Sequence, residues 1–270
     1  MAEAARLHDE LTRILRAMDE VAVAVSGGVD STTLAVVAHR ALGARATMMH
    51  AVSPAVPPPA TRRVRALAEQ EGWRLKVLDA GEFEDPRYRA NPADRCFYCK
   101  TNLYAGIAAA TRAQILSGTN RDDLSDWRPG LKAAGHHAVR HPYVEARIDK
   151  AGVRAIARLL DLGDIAELPA SPCLSSRVET GIAIDPVELA LIHDVETLVG
   201  GALAAATVRC RVRRSGLVIE LDARAHAALD DTRRDDLTAR IASLPGGRGR
   251  PISFAAYKMG SAFLRPAAHV

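Results

Sequence analysis

The sequence predicts an α/β fold, a parallel sheet with helices on both faces, followed by a small C-terminal α+β domain. Three observations predict it. Short apolar runs without alternation, VAVAV (21–25) first among them, suit strands that are buried on both faces. Helix-length segments closed by glycine separate these runs, so strand and helix alternate. Past about residue 185 the order changes to helix, two strands, helix and strand.

The first twenty residues, MAEAARLHDELTRILRAMDE, place Leu7, Leu11, Ile14, Leu15 and Met18 at helical spacing. VAVAV is the first strand, and residues 31–42 form a helix that stops at Gly43. ATMMHAVS (46–53) is the second strand. Prolines then precede a helix from about Thr61 to Gln70, with Gly72 ending it. WRLKVLDA (73–80) is the third strand, a helix follows in KTNLYAGIAAATR, and AQILSGTN (113–120) is the fourth strand, leaving through Gly118. In the second part, DPVELALIHDVETLVG is helical, and ATVRCRVRRSGLVIELDA is two strands joined around Ser215–Gly216. A helix from about Ala225 to Ala242 leads to a last strand, ISFAAY. The domain boundary is placed between residues 1–184 and 185–270.

Composition narrows the classes. Of 270 residues, 48% are hydrophobic and 25% charged, which is ordinary globular composition. No apolar run approaches the ~20 residues of a membrane span. The amino terminus lacks the basic start and unbroken apolar block of a secretory signal, so a cytoplasmic protein without a membrane partner is expected. Five of the 36 basic residues are lysine and the rest arginine. Genome composition explains that skew; guanidinium forks for phosphate or carboxylate ligands are the functional alternative. With 4% aromatics and no basic block of five, a nucleic-acid partner is not expected. Cys96, Cys99, Cys173 and Cys210 in a reducing compartment point away from disulfides and toward metal or sulfur chemistry.

The stretch VSGGVDS (25–31) leaves the first strand and opens a helix. Gly27 and Gly28 let the backbone approach a ligand and expose its amides, and the helix adds its positive end for an anion. Asp30 is suited to holding Mg²⁺ that bridges phosphate oxygens. The motif is neither GxGxxG nor GxxxxGK[ST]. Asp30 and Ser31 acting only as helix caps is the plainer alternative. In open parallel sheets ligands lie beyond the carboxyl ends of the strands, where Ser53 and the SGTNRDD segment with Asn120, Asp122 and Asp123 also fall.

SGGVDS after a strand resembles the pyrophosphate loop of the N-type ATP pyrophosphatases, which cleave ATP between the α and β phosphates and adenylate a substrate oxygen. The resemblance assigns the pyrophosphate role to Ser26, Gly27, Gly28, Asp30 and Ser31. Further stretches, NPADRCFYCKTNLY (91–104), SGTNRDDLSDWRPGLKAA (117–134) and LPASPCLSSRVETG (168–181), resemble the LarE family. The similarity runs from about Glu20 to Gly260 and includes YKMGS. That family's members are ATP-dependent sulfur transferases that build the nickel-pincer nucleotide cofactor of lactate racemase. The resemblance implies conversion of nicotinate-derived pyridinium carboxylates to thiocarboxylates through an acyl-adenylate, with a small mononucleotide substrate, ATP contacts near Asn120, and a homo-oligomer.

The chemistry fits these residue types. A carboxylate lacks a good leaving group; adenylation supplies AMP, and sulfur can then attack. Cys173, in the proline-flanked PASPCLSSR, is similar to the family's sacrificial cysteine, which loses its sulfur and becomes dehydroalanine; an inert thiol is the plain alternative. Cys96 and Cys99 form a CxxC at the start of a helix, suited to a shared metal or to a redox pair. With Cys173 they make three thiolates, the number that suits a [4Fe–4S] cluster with one open iron able to carry an added sulfide. Cluster-borne sulfur is preferred here over sacrifice of Cys173, and both stay open. Arg209 and Arg211, on one face of a strand, can grip a substrate phosphate, or form a solvated edge that discourages pairing. Glu196 is placed like a substrate-site residue of the family, and Arg177 is positioned to neutralise the adenylate or the cluster. Cys210 reads as core packing and His136–His137 as surface. The other functions weighed are tRNA thiolation by the same adenylation logic and a non-enzymatic nucleotide sensor.

Overall fold

The computed structural model describes residues 1–125 and 129–264; Asp126, Trp127 and Arg128 of the SGTNRDDLSDWRPGLKAA stretch lie outside them. Contacts divide the chain into two compact units, one of Met1–Asp85 with Cys96–Ser171, the other of Pro86–Arg95 with the chain from Pro172 onward. No helix among the described residues is long and apolar enough to cross a membrane.

In the first unit, β1 (Val21–Ala24), β2 (Ala46–Ala51), β3 (Arg74–Leu78) and β4 (Gln114–Leu116) form a parallel sheet in the order β3-β2-β1-β4. Around it run α1 (Ala2–Arg16), α2 (Val29–Leu42), α3 (Pro58–Glu71), α5 (Arg95–Ala110), α6 (Pro129–His136), α7 (Pro142–Glu145) and α8 (Lys150–Leu159), with the one-turn α4 (Pro86–Arg89) assigned to the second unit. The alternating side chains of β1 show why its sequence does not alternate. Val21, Val23 and Val25 pack with Leu11 and Leu15 of α1, Leu34 and Val37 of α2 and Ile156 of α8. Ala22 and Ala24 pack on the other face with Tyr104 and Ile107 of α5 and Ala133 of α6. Both faces are dry, so every position is apolar.

Two local boundaries differ from the sequence expectation. Helix α3 starts at Pro58, not near Thr61, because prolines in a first turn surrender no needed N–H. The helix expected over about 225–242 is two, α10 (Ala223–Ala227) and α11 (Asp231–Ala242), each with its own aspartate cap: Asp222 accepts from the Ala225 N–H and Asp230 from the Arg233 N–H. Helices α6 to α8 continue the chain past β4, in a stretch to which sequence periodicity assigns no element.

The second unit holds α9 (Pro186–Leu203) and a three-stranded mixed sheet, β5 (Val208–Arg213), β6 (Gly216–Leu221) and β7 (Ile252–Ala256). Strands β5 and β6 are antiparallel, β6 and β7 parallel. Gly216, at φ +124°, lies so near Pro251 that an added Cβ would stand 2.3 Å from its carbonyl oxygen.

The connectivity prepares a site. From β1 the chain moves to β2 and β3 on one side and returns to β4 on the other. The carboxyl ends of β1 and β4 therefore flank a topological switch point, the crevice where open α/β sheets take ligands.

Candidate functional site

The head of α2 fills that crevice. Gly27 takes φ +79°, and a Cβ there would stand 2.7 Å from the Ala60 carbonyl oxygen, so the turn closes only with glycine. Gly28 is the extended N-cap of α2. The two serines lace the loop: the Ser26 N–H donates to Ser31 Oγ at 3.0 Å, and the two hydroxyls stand 3.0 Å apart. The Arg63 guanidinium donates to the Gly27 carbonyl at 2.8 Å, and burial lowers its pKa. His50 spans the end of β1 and the start of α3, with Nδ1 donating to the Val25 carbonyl at 2.8 Å and Nε2 accepting from the Thr61 hydroxyl at 2.9 Å.

From the β4 side comes a glycine whose part the sequence reading overlooked. A Cβ on Gly118 would stand 2.8 Å from the Ser31 backbone nitrogen and 2.9 Å from the Asp30 carbonyl carbon. The loop after β4 thus lies directly on the head of α2. Asn120 is buried and its side-chain amide N–H donates to Asp30 Oδ1 at 3.1 Å, while its backbone N–H donates to Asp123 Oδ2 and its side-chain Oδ1 accepts from the Asp122 N–H. The Asp30 backbone carbonyl accepts from the Tyr143 hydroxyl at 3.0 Å; burial and the nearby Asp30 carboxylate push that phenol's pKa well up. Lys150, at the start of α8, donates to Asp30 Oδ2 at 2.5 Å. Ser53 accepts from the Ala55 N–H beyond β2. Of the sequence candidates, Ser26, Gly27, Gly28, Asp30, Ser31 and Asn120 are brought together; Gly118 lies within SGTNRDD, but nothing local gave its approach to α2, and Tyr143 and Lys150 carry no local motif that could have disclosed them.

Histidine burial here has a pH consequence. Desolvation lowers the pKa of His50, with the Val25 carbonyl partly opposing, and lowers that of His141, which shares a 2.8 Å hydrogen bond with Ser117, with Glu145 and Asp123 opposing. The unfolded chain then binds protons more readily, so stability is complete above the ordinary histidine pKa of ~6.5 and declines as pH falls through it. Thermal midpoints are expected to drop between about pH 7 and pH 5, with a shallower drop in His50→Asn. An identical slope in that variant removes His50 from the account.

In the second unit, Cys173 is exposed and N-caps the one-turn helix Leu174–Arg177. Its carbonyl accepts from the Ser176 N–H and from Arg177 Nη1, both at 3.0 Å. Arg177 is 2% exposed and its donors are widely used: Nε and Nη2 go to Glu196 at 2.9 and 3.0 Å, and Nη1 also reaches the Pro172 carbonyl and Ser176 Oγ. Glu196 closes the circuit by accepting from the Cys210 N–H. Arg211 is buried against Glu220 at 2.9 Å, where the sequence offered it to a phosphate or to solvent. Arg209 stands 5.9 Å from the Tyr257 ring, and burial first, then the neighbouring Arg177, lowers its pKa. Cys210 is a core thiol whose pKa burial pushes far up. Cys96 and Cys99 lie half-buried on the first turns of α5, in the first unit. Among the described residues no group of three or more His, Cys, Asp or Glu is placed to hold a metal ion.

Fold and site define a class: an open parallel α/β protein with a glycine-rich anion-receptive turn at its switch point. No family model matches the chain. It is 31% identical over 226 residues to the pyridinium-3,5-bisthiocarboxylic acid mononucleotide synthase of Lactiplantibacillus plantarum, covering 82% of this chain and 81% of that protein. An uncharacterized protein of Synechocystis is 36% identical over 192 residues, 70% of this chain and 71% of its own. A glutamine-hydrolyzing GMP synthase component from Methanopyrus kandleri is 30% identical over 186 residues, 62% of this chain and 59% of its own. The chain belongs to the LarE family, that of the Lactiplantibacillus synthase.

Proposed function

We propose that the chain is an ATP-dependent sulfur transferase that adenylates the carboxylates of a pyridinium dicarboxylate mononucleotide and converts them to thiocarboxylates for a nickel-pincer cofactor. The observation that carries the proposal is the Gly27–Gly28 turn, closed by Gly118 at the switch point, in a chain related over most of its length to a synthase of the bisthiocarboxylic acid mononucleotide. Ser26, Gly27, Gly28, Asp30, Ser31, Ser53 and Asn120 form the ATP site. There the substrate carboxylate attacks the α-phosphorus and pyrophosphate leaves. The chemistry of Asp30, one carboxylate beside a phosphate site, fits Mg²⁺, which would neutralise phosphate charge when bound. Arg209 is the residue we assign to the substrate phosphate, with Arg177, Glu196 and Arg211 holding its surroundings in place.

Sulfur is delivered at Cys173, the exposed thiol on a loop that Arg177 holds. Its sulfur attacks the acyl-adenylate carbon and AMP leaves with the bonding pair. Removal of the Cys173 α-hydrogen then breaks the Cβ–Sγ bond, giving a thiocarboxylate and dehydroalanine. A [4Fe–4S] cluster held by Cys96, Cys99 and Cys173 would instead supply sulfide and leave Cys173 intact.

The test is to give ATP and the pyridinium dicarboxylate mononucleotide to anaerobically purified protein, following pyrophosphate release and product mass. Cys173→Ser is expected to release pyrophosphate and form no thiocarboxylate; thiocarboxylate from that variant would refute delivery at Cys173. One sulfur lost from Cys173 after turnover supports sacrifice. An unchanged protein mass with bound iron and labile sulfide replaces sacrifice by the cluster. Pyrophosphate release that requires tRNA and ignores the mononucleotide overturns the substrate class.

A further inference from the structure

Lys150 is a residue that the motifs leave without a role. It is the first residue of α8, where the positive end of the helix dipole disfavours a lysine. Its backbone is anchored: the Lys150 N–H donates to Asp122 Oδ2 at 3.1 Å, and the preceding Asp149 caps the Gly152 N–H. Only the flexible four-carbon stem is left to move, and it carries the ammonium to Asp30 on the first turn of α2. The ammonium therefore stands before the positive end of a second helix, with Asp30 as its acidic partner.

Each Asp30 oxygen has a partner in this arrangement, Oδ1 the Asn120 amide and Oδ2 the Lys150 ammonium. The ammonium occupies a lone pair of Asp30 Oδ2, and its positive charge opposes a divalent cation on the same oxygen. The pair is also easily exchanged: the side chains are 35% and 27% exposed, and ion pairs so open to water contribute little. A polyphosphate, with several charges and acceptor oxygens, is the stronger partner for the ammonium.

We propose that Lys150 is an exchangeable counter-ion of the nucleotide site. Without nucleotide it masks the Asp30 carboxylate; when a nucleoside triphosphate enters, the ammonium transfers to the polyphosphate and releases Asp30 Oδ2 to the divalent cation. Lys150 is thus a positioning residue for the cation and a binding residue for the nucleotide. The inference rests on the ATP site proposed above.

The experiment compares full-length wild type, Lys150→Gln and Lys150→Arg by calorimetric titration with ATP and by the electron paramagnetic resonance of added Mn²⁺ without nucleotide. Loss of one charge-assisted hydrogen bond to phosphate predicts an ATP affinity about 10- to 100-fold weaker in K150Q. The same variant, with Asp30 unmasked, should bind Mn²⁺ more tightly than wild type. K150R should hold ATP affinity within a few-fold and keep Mn²⁺ out as wild type does. Unchanged ATP affinity in K150Q, or unchanged Mn²⁺ binding, overturns the inference, and unfolding curves for both variants show that a difference is local. Wild type that binds no ATP overturns the functional proposal instead.

Discussion

Replacing Arg177 with alanine is expected to destabilise the second unit by about 3–5 kcal/mol, the range for removing one partner of a buried ion pair. The guanidinium is 2% exposed and joins Glu196, the Pro172 and Cys173 carbonyls and Ser176 Oγ. Truncation takes the two-pronged donor from the Glu196 carboxylate, to which the Cys210 N–H still donates. It also removes the guanidinium from the Pro172 carbonyl and from the Cys173 carbonyl, which keeps the Ser176 N–H. Lysine should not rescue the variant, because one ammonium cannot reproduce the fork toward Glu196 and still reach the loop. Urea unfolding checks the magnitude, and the alkylation rate of Cys173 checks its location. A loss below about 1 kcal/mol would mark the pair as no stronger than a surface one.

Gly118→Ala should weaken nucleotide binding by about 100-fold while leaving the sheet folded. The new methyl would meet backbone, not a flexible side chain, at 2.8 Å from the Ser31 nitrogen and 2.9 Å from the Asp30 carbonyl carbon. Either the loop after β4 withdraws, taking Asn120 from Asp30, or the head of α2 shifts. Overpacking of this kind costs about 1–3 kcal/mol in stability. A displacement near 1 Å in a positioned site costs about 100-fold in function. Gly135→Ala, on α6 with open space at its Cβ, is the control and should bind ATP as wild type does. Equal ATP affinities for the two variants would show that close approach of β4 to α2 is not what shapes the site.

How far these features could be read in advance depends on the range of the interaction behind them. The strands, the helix after VSGGVDS and the Gly43 and Gly72 stops carry local signals, period, caps and glycines, and the structure has them at or near those places. The start of α3 slipped because proline is allowed in a first turn, and α10 and α11 merged because a second aspartate cap interrupts no strong period. Arg177 and Arg211 looked available to ligands, since nothing in a sequence pairs a guanidinium with a carboxylate 19 or 9 residues away. Lys150 and Asp30 are 120 residues apart.

By itself, then, the sequence determined the class of fold, the glycine turn and its likeness to a family, because backbone conformation and burial pattern are set by residues within a turn or two of each other. The folded chain decided which charges are spent on one another, which glycine closes the turn from across the sheet, and which lysine covers Asp30. Those are pairings across long separations in sequence, and they exist only once parallel strands bring the loops after β1 and β4 to one edge.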